Sequence, residues 1–390
     1  MSNFKGTDFY LLDDSLSVEN RLLRDTVREF VDKEFLPIVQ KHYRNGTFPE
    51  EIISQLGELG LLGSNITGYD CAGLDYLSYG IINRELERGD SGLRSFVSVQ
   101  TSLVMFPIFT YGSAEQKDKW LPRLASGMAV GCFGLTEPDF GSNPGGMRTR
   151  ADKTKDGWLL NGAKMWITNG TLADIAVIWA KTADGIQGFL VETDRDGFTA
   201  KHMHGKLSLR ASDTAELLLD NCFVPEENML PAAKGLKTAL SCLSQARYGI
   251  AWGAVGSAMA CYEEAVDYAK GRIQFGGKPI ASHQIIQSTL AEMLTEITKS
   301  QLLCLQLGNL KDQDKATFVH ISMAKRNNVH HALAIARNAR QILGANGIID
   351  DYQSMRHMCN LESVITYEGT HDIHTLILGE HITGIPAYGI

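Results

Sequence analysis

The sequence lacks the patterns that define disulfide frameworks, metal sites and the common nucleotide-binding loops. Its seven cysteines are dispersed and never form a CxxC pair, which is typical of free thiols in a reducing compartment. No GxGxxG follows a strand pattern, and GxxxxGK[ST], GxSxG and HExxH are absent. The histidines fall in short groups with no cysteine or carboxylate at metal-ligand spacing, so no metal site is predicted.

An excess of positive charge and a long apolar run are also missing. The net charge of −8 argues against nucleic acid as the main partner, because such binders carry a basic face. No apolar run is seen to reach the ~18 residues that a membrane span needs. The start, "MSNFKGTDFYLLDDSLS", has neither the basic and apolar segments of a secretory signal nor the arginines of a transit peptide. We therefore predict a cytoplasmic protein with no membrane and no nucleic-acid partner.

The two ends of the chain show helical periodicity. Within residues 1–127, apolar side chains recur every three or four positions between Ser17 and Pro37, which predicts a helix that Ser17 caps and Pro37 ends. Residues 237–390 contain three longer periodic segments with short connections. Their length and spacing predict an antiparallel helix bundle.

Residues 128–236 change to the pattern of a β-domain. Short runs such as "GWLLNGAKMWIT" and "ADIAVIWAK" alternate with turn residues. The pairs Asn161-Gly162 and Asp184-Gly185 are strong hairpin signals and predict two tight turns. Several short strands within about a hundred residues favour a small antiparallel barrel or sandwich. The fold class predicted from the three zones is mainly α with a middle β-domain.

Four glycine-punctuated segments lie at junctions between predicted elements: "FGLTEPDFGSNPGG", "KMWITNG", "GRIQFGGKP" and "RQILGANGIIDD". A glycine-serine loop can present N–H groups and a hydroxyl to phosphate, and a tryptophan at a domain edge can stack on a flat ligand. Taken singly, each also suits an ordinary turn, a packed core residue or a helix end. These segments alone therefore leave their role open.

Two charged residues, Arg94 and Glu368, each have one functional and one structural interpretation. Arg94 opens an apolar helical stretch and could bind a ligand carboxylate, but a salt bridge with Glu87 or Asp90 is favoured on the local sequence. Glu368, in "ITYEGTHDIHTLI", could be a general base or a helix N-terminal acid that interacts with the helix dipole. The local sequence does not decide between the two.

Taken together and in this order, "CFGLTEP", "KMWITNG", "RIQFG", "QILGANG" and "YEGTHDIH" resemble the acyl-CoA dehydrogenase family. "RELERGDSGLRSFVSVQ", "GKLSLRAS" and "NLESVITYEGTHDIHTLILG" look like the members that act on glutaryl-CoA. The resemblance covers nearly the whole chain. It implies an N-terminal helical domain, a middle β-domain and a C-terminal four-helix bundle, which agrees with the three zones.

The resemblance also implies non-covalently bound FAD, a homotetramer and electron-transfer flavoprotein as the electron acceptor. Two groups of implied FAD-binding residues come from one subunit: Phe133, Leu135, Thr136, Gly141, Ser142, Trp166, Ile167 and Thr168 in the β-domain, and Thr370, His371 and Asp372 near the C-terminus. A third group is implied to come from a neighbouring subunit: Arg272, Phe275, Gln284, Gln341, Leu343, Gly344 and Ala345. The loop around Asn143 and the segment around Lys278 depart from the family pattern.

By the same resemblance, Glu368 is the base that removes the α-proton of an acyl-CoA thioester. The part of the bundle that carries the base in some relatives, "RYGIAWGAVGSAMA", has no carboxylate here. An unpaired arginine at the end of an acyl pocket would be costly, so Arg94 favours glutaryl-CoA, and Glu87 with Tyr367 implies its decarboxylation to crotonyl-CoA. The substrate-binding set is Glu87, Arg94, Ser95, Ser142, Leu240, Arg247, Tyr367 and Gly369. The alternatives are a simple-chain or non-decarboxylating dehydrogenase, an oxidase, and a non-catalytic acyl-CoA-binding scaffold.

Overall fold

The computed structural model describes residue 4 and residues 6–388, and its elements begin with a helical group. The chain then passes through a β-sheet and ends in long helices. The helices of the first group are α1 (Val18–Phe30), α2 (Leu36–Asn45), α3 (Ile53–Glu58), α4 (Tyr76–Gly89), α5 (Ser91–Ser98), α6 (Phe106–Tyr111) and α7 (Ala114–Ala125).

The first helix begins where the sequence predicts but does not end there. The Ser17 side chain accepts a hydrogen bond from the backbone N–H of Asn20 at 3.1 Å, so the predicted cap is confirmed. The prediction that Pro37 ends the helix is wrong. The chain continues through a wide helical turn, Val31–Phe35, into α2. Pro37 lies in the first turn of α2, directly after this wide turn.

Helices α5 and α6 form one continuous helix, Ser91–Tyr111, because the wide turn Val99–Met105 joins them without a break. This helix has 21 residues, and its most apolar 18-residue window has a mean hydropathy of 1.2, so by length and composition it could cross a membrane. Our prediction that no apolar segment is that long is therefore wrong. The most apolar part of the helix is 89% buried inside the protein, as expected for the core helix of a soluble fold.

The middle group is one curled seven-stranded sheet. Most strand pairs are antiparallel, but β1 pairs parallel with β4, so the expected all-antiparallel sheet is wrong in this detail. The order is β1-β4-β2-β3-β7-β6, with β5 paired to β4. The strands are β1 (Gly131–Gly134), β2 (Arg150–Lys153), β3 (Gly157–Thr168), β4 (Ile175–Thr182), β5 (Gly185–Glu192), β6 (Phe198–His202) and β7 (Thr214–Pro225).

One of the two predicted hairpin turns is confirmed. Asp184-Gly185 joins β4 to β5, whose residues Thr182 and Gly185 pair directly. Asn161-Gly162 is not a turn, because β3 runs through it with a shift of register against β7. A Cβ at Gly162 would lie 2.4 Å from the Thr149 hydroxyl oxygen, so the glycine permits close approach at a bulge.

The last group is a bundle around the 37-residue helix α8 (Gly235–Gly271). Helix α8 packs on α4 of the first group and on α10 of its own, and its buried face forms the largest apolar core. A short hairpin, β8 (Ile273–Gln274) with β9 (Lys278–Pro279), leads into the other helices. These are α9 (Gln284–Asp312), α10 (Phe318–Ile342), α11 (Ser354–Val364) and α12 (His371–Thr383).

Candidate active site

The segment between α11 and α12 presents Glu368 in an uncommon backbone conformation. Glu368 has a φ of 51° and Gly369 a φ of 95°, both in the left-handed region. Helix α12 is capped by Thr370, whose side chain accepts from the N–H of Ile373 at 3.2 Å, and the acid in its first turn is Asp372. Glu368 therefore lies outside the helix and does not cap it, which removes the structural alternative for this residue.

Two buried cations hold the backbone on both sides of Glu368. Lys325 donates to the carbonyl oxygens of Tyr367 and Gly369 at 2.8 and 2.7 Å. Arg247 donates through Nε to the carbonyl oxygen of Glu368 at 2.6 Å. Three successive carbonyl groups are thus fixed by side chains from α10 and α8.

Gly369 has no room for a side chain. A Cβ at this position would lie 3.0 Å from Nε2 of His374 and 3.2 Å from an Nη of Arg247. Its left-handed φ would also strain any other residue. The glycine after the base is therefore favoured by its conformation, and the close approach of α8 and α12 would crowd any other residue.

The carboxyl group of Glu368 is poorly satisfied. Its Oε2 is buried and makes no hydrogen bond with any residue that the structure describes. Burial raises the pKa of Glu368 to about 7, while Arg94, Arg247 and Lys325 act in the opposite direction. His374, whose pKa burial lowers to about 2, stays neutral beside it. A carboxyl group with this pKa can take up and return a proton near neutral pH.

Arg94 lies beside the hydroxyl group of Tyr367, the residue before Glu368. It is 1% exposed, donates through Nε to Glu87 at 2.6 Å, and donates through Nη2 to the Tyr367 hydroxyl. The Ser95 hydroxyl lies 3.4 Å from the same Tyr367 oxygen. The favoured salt bridge with Glu87 is confirmed, and the premise of an unpaired arginine is wrong. Within the described residues, Nη1 of Arg94 makes no hydrogen bond, so this end can still bind an anion.

The surroundings fix the charge states of this group. Burial lowers the pKa of Arg94, but Glu87 and Tyr367 together raise it by more than burial lowers it. The net direction is upward, so the guanidinium stays charged. Burial raises the pKa of Tyr367 to about 12. The phenol is therefore a neutral hydrogen-bonding group that connects Arg94 to the segment of the base.

Glu87 is enclosed by hydrogen-bond donors and by a glycine of α8. Its Oε1 accepts from the Ser91 hydroxyl at 2.9 Å, and the Ser257 hydroxyl lies 3.5 Å from the same atom. A Cβ at Gly253 would lie 2.1 Å from Glu87 Oε2 and 3.1 Å from Arg94 Nε. Helix α8 can approach the ion pair this closely only because position 253 has no side chain.

Asp90 connects the helix of Arg94 to the helix that leads to the base. Its Oδ1 accepts from the N–H of Gly92 at 2.7 Å, which caps α5. Its Oδ2 accepts from Arg356 Nε and Asn360 Nδ2 of α11, both at 2.9 Å. One buried carboxylate thus sets the position of α5 relative to α11.

Most of the predicted FAD-binding residues of the β-domain lie along one edge. Thr136 accepts through its carbonyl from the N–H of Met165 at 2.9 Å, which joins the strand-ending loop to the segment of Trp166. Trp166 has a φ of 63° and is 60% exposed. Its neighbours differ in burial: Phe133, Leu135 and Ile167 are buried, Thr136 and Thr168 are half-buried, and Gly141 and Ser142 are exposed. An exposed indole in a strained backbone beside a polar loop fits a flat aromatic ligand.

The FAD-binding residues that the resemblance assigns to a neighbouring subunit form a separate group at the far end of the bundle. Arg272 follows the last residue of α8, about 37 Å along the helix axis from Arg247 at 1.5 Å per residue. Phe275 is 82% exposed, with a left-handed φ of 44°. One chain therefore does not bring this group to Glu368. Its other members are Gln284, Gln341, Gly344 and Ala345, which are exposed, and Leu343, which is buried.

The sequence analysis did not select Lys325 or Asp90 as site residues. Lys325 lies on the buried face of α10 with Ile321 and Val329, four positions to either side. A lysine in the middle of an apolar stripe indicates a buried cation, and this signal could have found it. Leu240 lies on α8 about two turns before Arg247 and is half-buried. Within the described part of the chain, no group of three potential metal ligands is found.

The sequence matches three family domains in the order of the structural groups. Residues 17–128 match the N-terminal domain of acyl-CoA dehydrogenase, residues 132–222 the middle domain and residues 233–383 the C-terminal domain. The chain belongs to the acyl-CoA dehydrogenase family. Its fold is the fold of that family, as the resemblance implies.

Similar proteins fall into two substrate classes. The crystal structure of glutaryl-CoA dehydrogenase from Mycobacterium smegmatis is 51% identical, with a TM-score of 0.97 over 99% of this chain and 100% of that one. A second structure from that organism, in complex with FADH2, is 52% identical, with a TM-score of 0.95 over 97% of each chain. The mitochondrial short-chain specific acyl-CoA dehydrogenase of Sus scrofa is 38% identical over 93% of this chain and 89% of its own.

Proposed function

We propose that this enzyme catalyses the FAD-dependent oxidative decarboxylation of glutaryl-CoA to crotonyl-CoA and CO2. The observation that carries the proposal is the contact of Arg94 with Tyr367, the residue before Glu368. This contact brings a guanidinium with a free edge to the residue that precedes an unsatisfied carboxyl group, close enough for the two charges to interact. A diacid thioester has a carboxylate for the first and an acidic α-proton for the second.

Glu368 is the general base in this proposal. The α-proton of a thioester is weakly acidic, so its removal needs a desolvated base and donors that stabilise the enolate oxygen. The carboxyl group has the raised pKa of a desolvated acid. The left-handed backbone directs it away from α12, and Lys325 with Arg247 keeps that backbone in place. The removed proton is held on the Glu368 carboxylate.

FAD, when bound, supplies the acceptor for the hydride that leaves the β-carbon. The structure of the FADH2 complex at 52% identity supports this cofactor for the present chain. The exposed Trp166 and the loop of Gly141 and Ser142 would hold it. The residues from Arg272 to Ala345 would reach it only from another subunit, which supports the proposal of a homotetramer with shared cofactor sites.

Charge balance supports a dicarboxylic substrate. With Glu368 ionised and Lys325 protonated, two negative groups, Glu87 and Glu368, face three cations. The cations are Arg94, Arg247 and Lys325. A second carboxylate on the substrate would neutralise the remaining positive charge, whereas a simple acyl chain would leave it buried. Arg94 Nη1 and the Ser95 hydroxyl are the donors placed for that carboxylate.

Decarboxylation follows from the position of the double bond. Oxidation gives glutaconyl-CoA, whose γ-carboxylate can leave as CO2 because the electron pair delocalises into a dienolate. The proton held on Glu368 then returns to the γ-carbon and gives crotonyl-CoA. Glu87 and Tyr367 keep Arg94 oriented at the departing carboxylate. Electron-transfer flavoprotein is the proposed acceptor of the electrons, and the cytoplasmic location stays a prediction.

A second candidate function is the oxidation of a simple short acyl chain. The 38% identity to the short-chain specific relative favours it. In that case Arg94 would serve only as the partner of Glu87. The two candidates differ in the role of the free edge of the guanidinium.

Anaerobic bleaching of the flavin by single acyl-CoA substrates tests the proposal. We expect glutaryl-CoA to bleach the holoenzyme faster than butyryl-CoA and to release CO2 and crotonyl-CoA. Arg94→Gln should lower kcat/KM for glutaryl-CoA by at least ~10-fold more than for butyryl-CoA, because a charged hydrogen-bond pair is lost. Faster bleaching by butyryl-CoA would contradict the proposal.

Arg356→Gln is the matched control. Arg356 is also a buried arginine paired with a carboxylate, Asp90, but it does not contact Tyr367. Its replacement should reduce stability and affect both substrates alike. A loss shared equally by both substrates in Arg94→Gln would show that Arg94 has only this structural role.

A further inference from the structure

Lys325 is a buried lysine whose hydrogen bonds straddle the base. It is 1% exposed, and its Nζ donates to the carbonyl oxygens of Tyr367 and Gly369, the residues before and after Glu368. These bonds close a loop around the one residue of the segment that is neither glycine nor in a common backbone region. No other described side chain donates hydrogen bonds to both neighbours of the base.

We propose that Lys325 is a positioning residue for Glu368, which fixes the left-handed backbone of the base through the two flanking carbonyl groups and places a positive charge behind its carboxylate. The proposal rests on Glu368 being the base. It assigns to α10 a part in the reaction, although α10 contributes no group to the substrate-binding set.

The backbone conformation explains why such a clamp is needed. A non-glycine residue at positive φ is strained and persists only where the surroundings fix it. Arg247 holds the carbonyl of Glu368 itself, but a single contact leaves the peptide planes on either side free to rotate. Lys325 fixes both of them, so the side chain of the base has one direction to follow.

The charge of Lys325 acts on the same carboxyl group. Burial lowers the pKa of Lys325 to about 7, and Glu368 is the group that raises it. The other groups that face Glu368 are Arg94 of α5, Arg247 of α8 and the neutral His374 of α12. The ammonium and the carboxylate therefore stabilise each other, and loss of the ammonium makes the carboxyl group harder to ionise. A neutral amine still carries two N–H donors, so both carbonyl contacts survive its deprotonation.

The test is the pH profile of flavin bleaching by glutaryl-CoA in three holoenzyme variants. Lys325→Met removes the donors and the charge, whereas Lys325→Gln keeps two N–H donors without the charge. Lys206→Met is the control, because Lys206 also donates to two carbonyls, of Ser212 and of Leu209, which itself has a positive φ, and it does not contact the base.

Glu368 must be ionised to act, so the rate rises with pH through its pKa. We expect this acid limb to move to higher pH by about one unit in both Lys325 variants, because a nearby positive charge is lost. The plateau at high pH should fall by at least ~10-fold in Lys325→Met and by less in Lys325→Gln, because only the first loses the clamp. Lys206→Met should lower stability without moving the limb.

An acid limb that stays in place in both Lys325 variants would overturn the proposal and leave Lys325 a structural residue like Lys206. If Lys325→Met does not fold, the limb of Lys325→Gln alone decides. If Glu368 is not the base, Glu368→Gln will retain turnover whatever the Lys325 variants show. Failure of the proposed function has a separate signature, because glutaryl-CoA would then bleach the unmodified holoenzyme more slowly than butyryl-CoA.

Discussion

Two buried carboxylates of this chain, Glu137 and Glu368, have opposite surroundings. Both oxygens of Glu137 are satisfied: Lys164 and the N–H of Thr149 donate to Oε1, both at 2.9 Å, and the N–H of Arg148 donates to Oε2 at 2.6 Å. Burial raises the pKa of Glu137, but these donors together lower it by more than burial raises it, so the net direction is downward. Glu368 has three cations nearby that bind other atoms, and its Oε2 has no partner in the described structure.

The comparison shows that hydrogen bonding to the carboxylate, rather than its burial, distinguishes a structural carboxylate from one that can act as a base. A carboxylate that accepts from several donors is held ionised and is a poor base. A carboxylate near cations that are occupied elsewhere is desolvated but still able to take a proton. This is possible because Arg247 and Lys325 donate their hydrogen bonds to backbone carbonyl groups and not to the carboxylate of Glu368.

The largest expected effect comes from exchanging each acid for its amide. Glu368→Gln should lower turnover of glutaryl-CoA by more than ~100-fold, the typical worth of a general base. Folding and FAD binding should be retained, because no hydrogen bond to Oε2 is lost. Steady-state kinetics and the flavin absorbance of the purified variant check both. Retained turnover would place the base elsewhere and end the distinction between the two acids.

Glu137→Gln should show the reverse pattern. It leaves Lys164 buried without its charged partner, and breaking such a pair costs about 3 kcal/mol or more in the free energy of unfolding. Turnover per bound flavin should fall far less than in Glu368→Gln. Denaturant unfolding measures the first quantity and flavin-normalised kinetics the second. A stable Glu137→Gln with abolished chemistry would reverse the assignment.

A smaller effect is expected at Gly253, which extends the comparison to Glu87, a third buried carboxylate. Gly253→Ala places a methyl group where 2.1 Å separates it from Glu87 Oε2, so we expect a loss of about 1–3 kcal/mol in the free energy of unfolding. Gly379→Ala in α12 is the control, because a Cβ there meets nothing within 4 Å. That variant should gain roughly 0.5–1 kcal/mol. Equal stability of the two variants would show that α8 does not need the glycine.

The sequence was sufficient for the element types and for two features governed by local chemistry, one helix cap and one hairpin turn. Ser17 caps α1, and Asp184-Gly185 makes a hairpin, because both depend on a few neighbouring atoms. Asn161-Gly162 failed because β3 continues through it, and pairing with β7, which is distant in sequence, decides its conformation. Pro37 failed because a wide turn placed its ring at a helix start.

Within the site, the motif around Glu368 pointed to the residue, but its physical state depends on contacts between distant elements. From the sequence, Arg94 could pair with an acidic residue of the chain or bind a ligand carboxylate. Only the fold shows that Glu87 and Tyr367 both bind it. Lys325 is 43 positions before Glu368 in the sequence. No local pattern connects the two, because the contact arises from the packing of α10 beneath the loop that precedes α12.

The most direct test of the unsatisfied base is the titration of its carboxyl group by infrared difference spectroscopy. The band of the protonated carboxyl group that is present in the unmodified holoenzyme and missing in Glu368→Gln should disappear as pH rises, with a midpoint near 7. The raised pKa means that the acid form persists well above the usual range of glutamate. A midpoint near the ordinary glutamate value, or the absence of any band that depends on Glu368, would contradict the account.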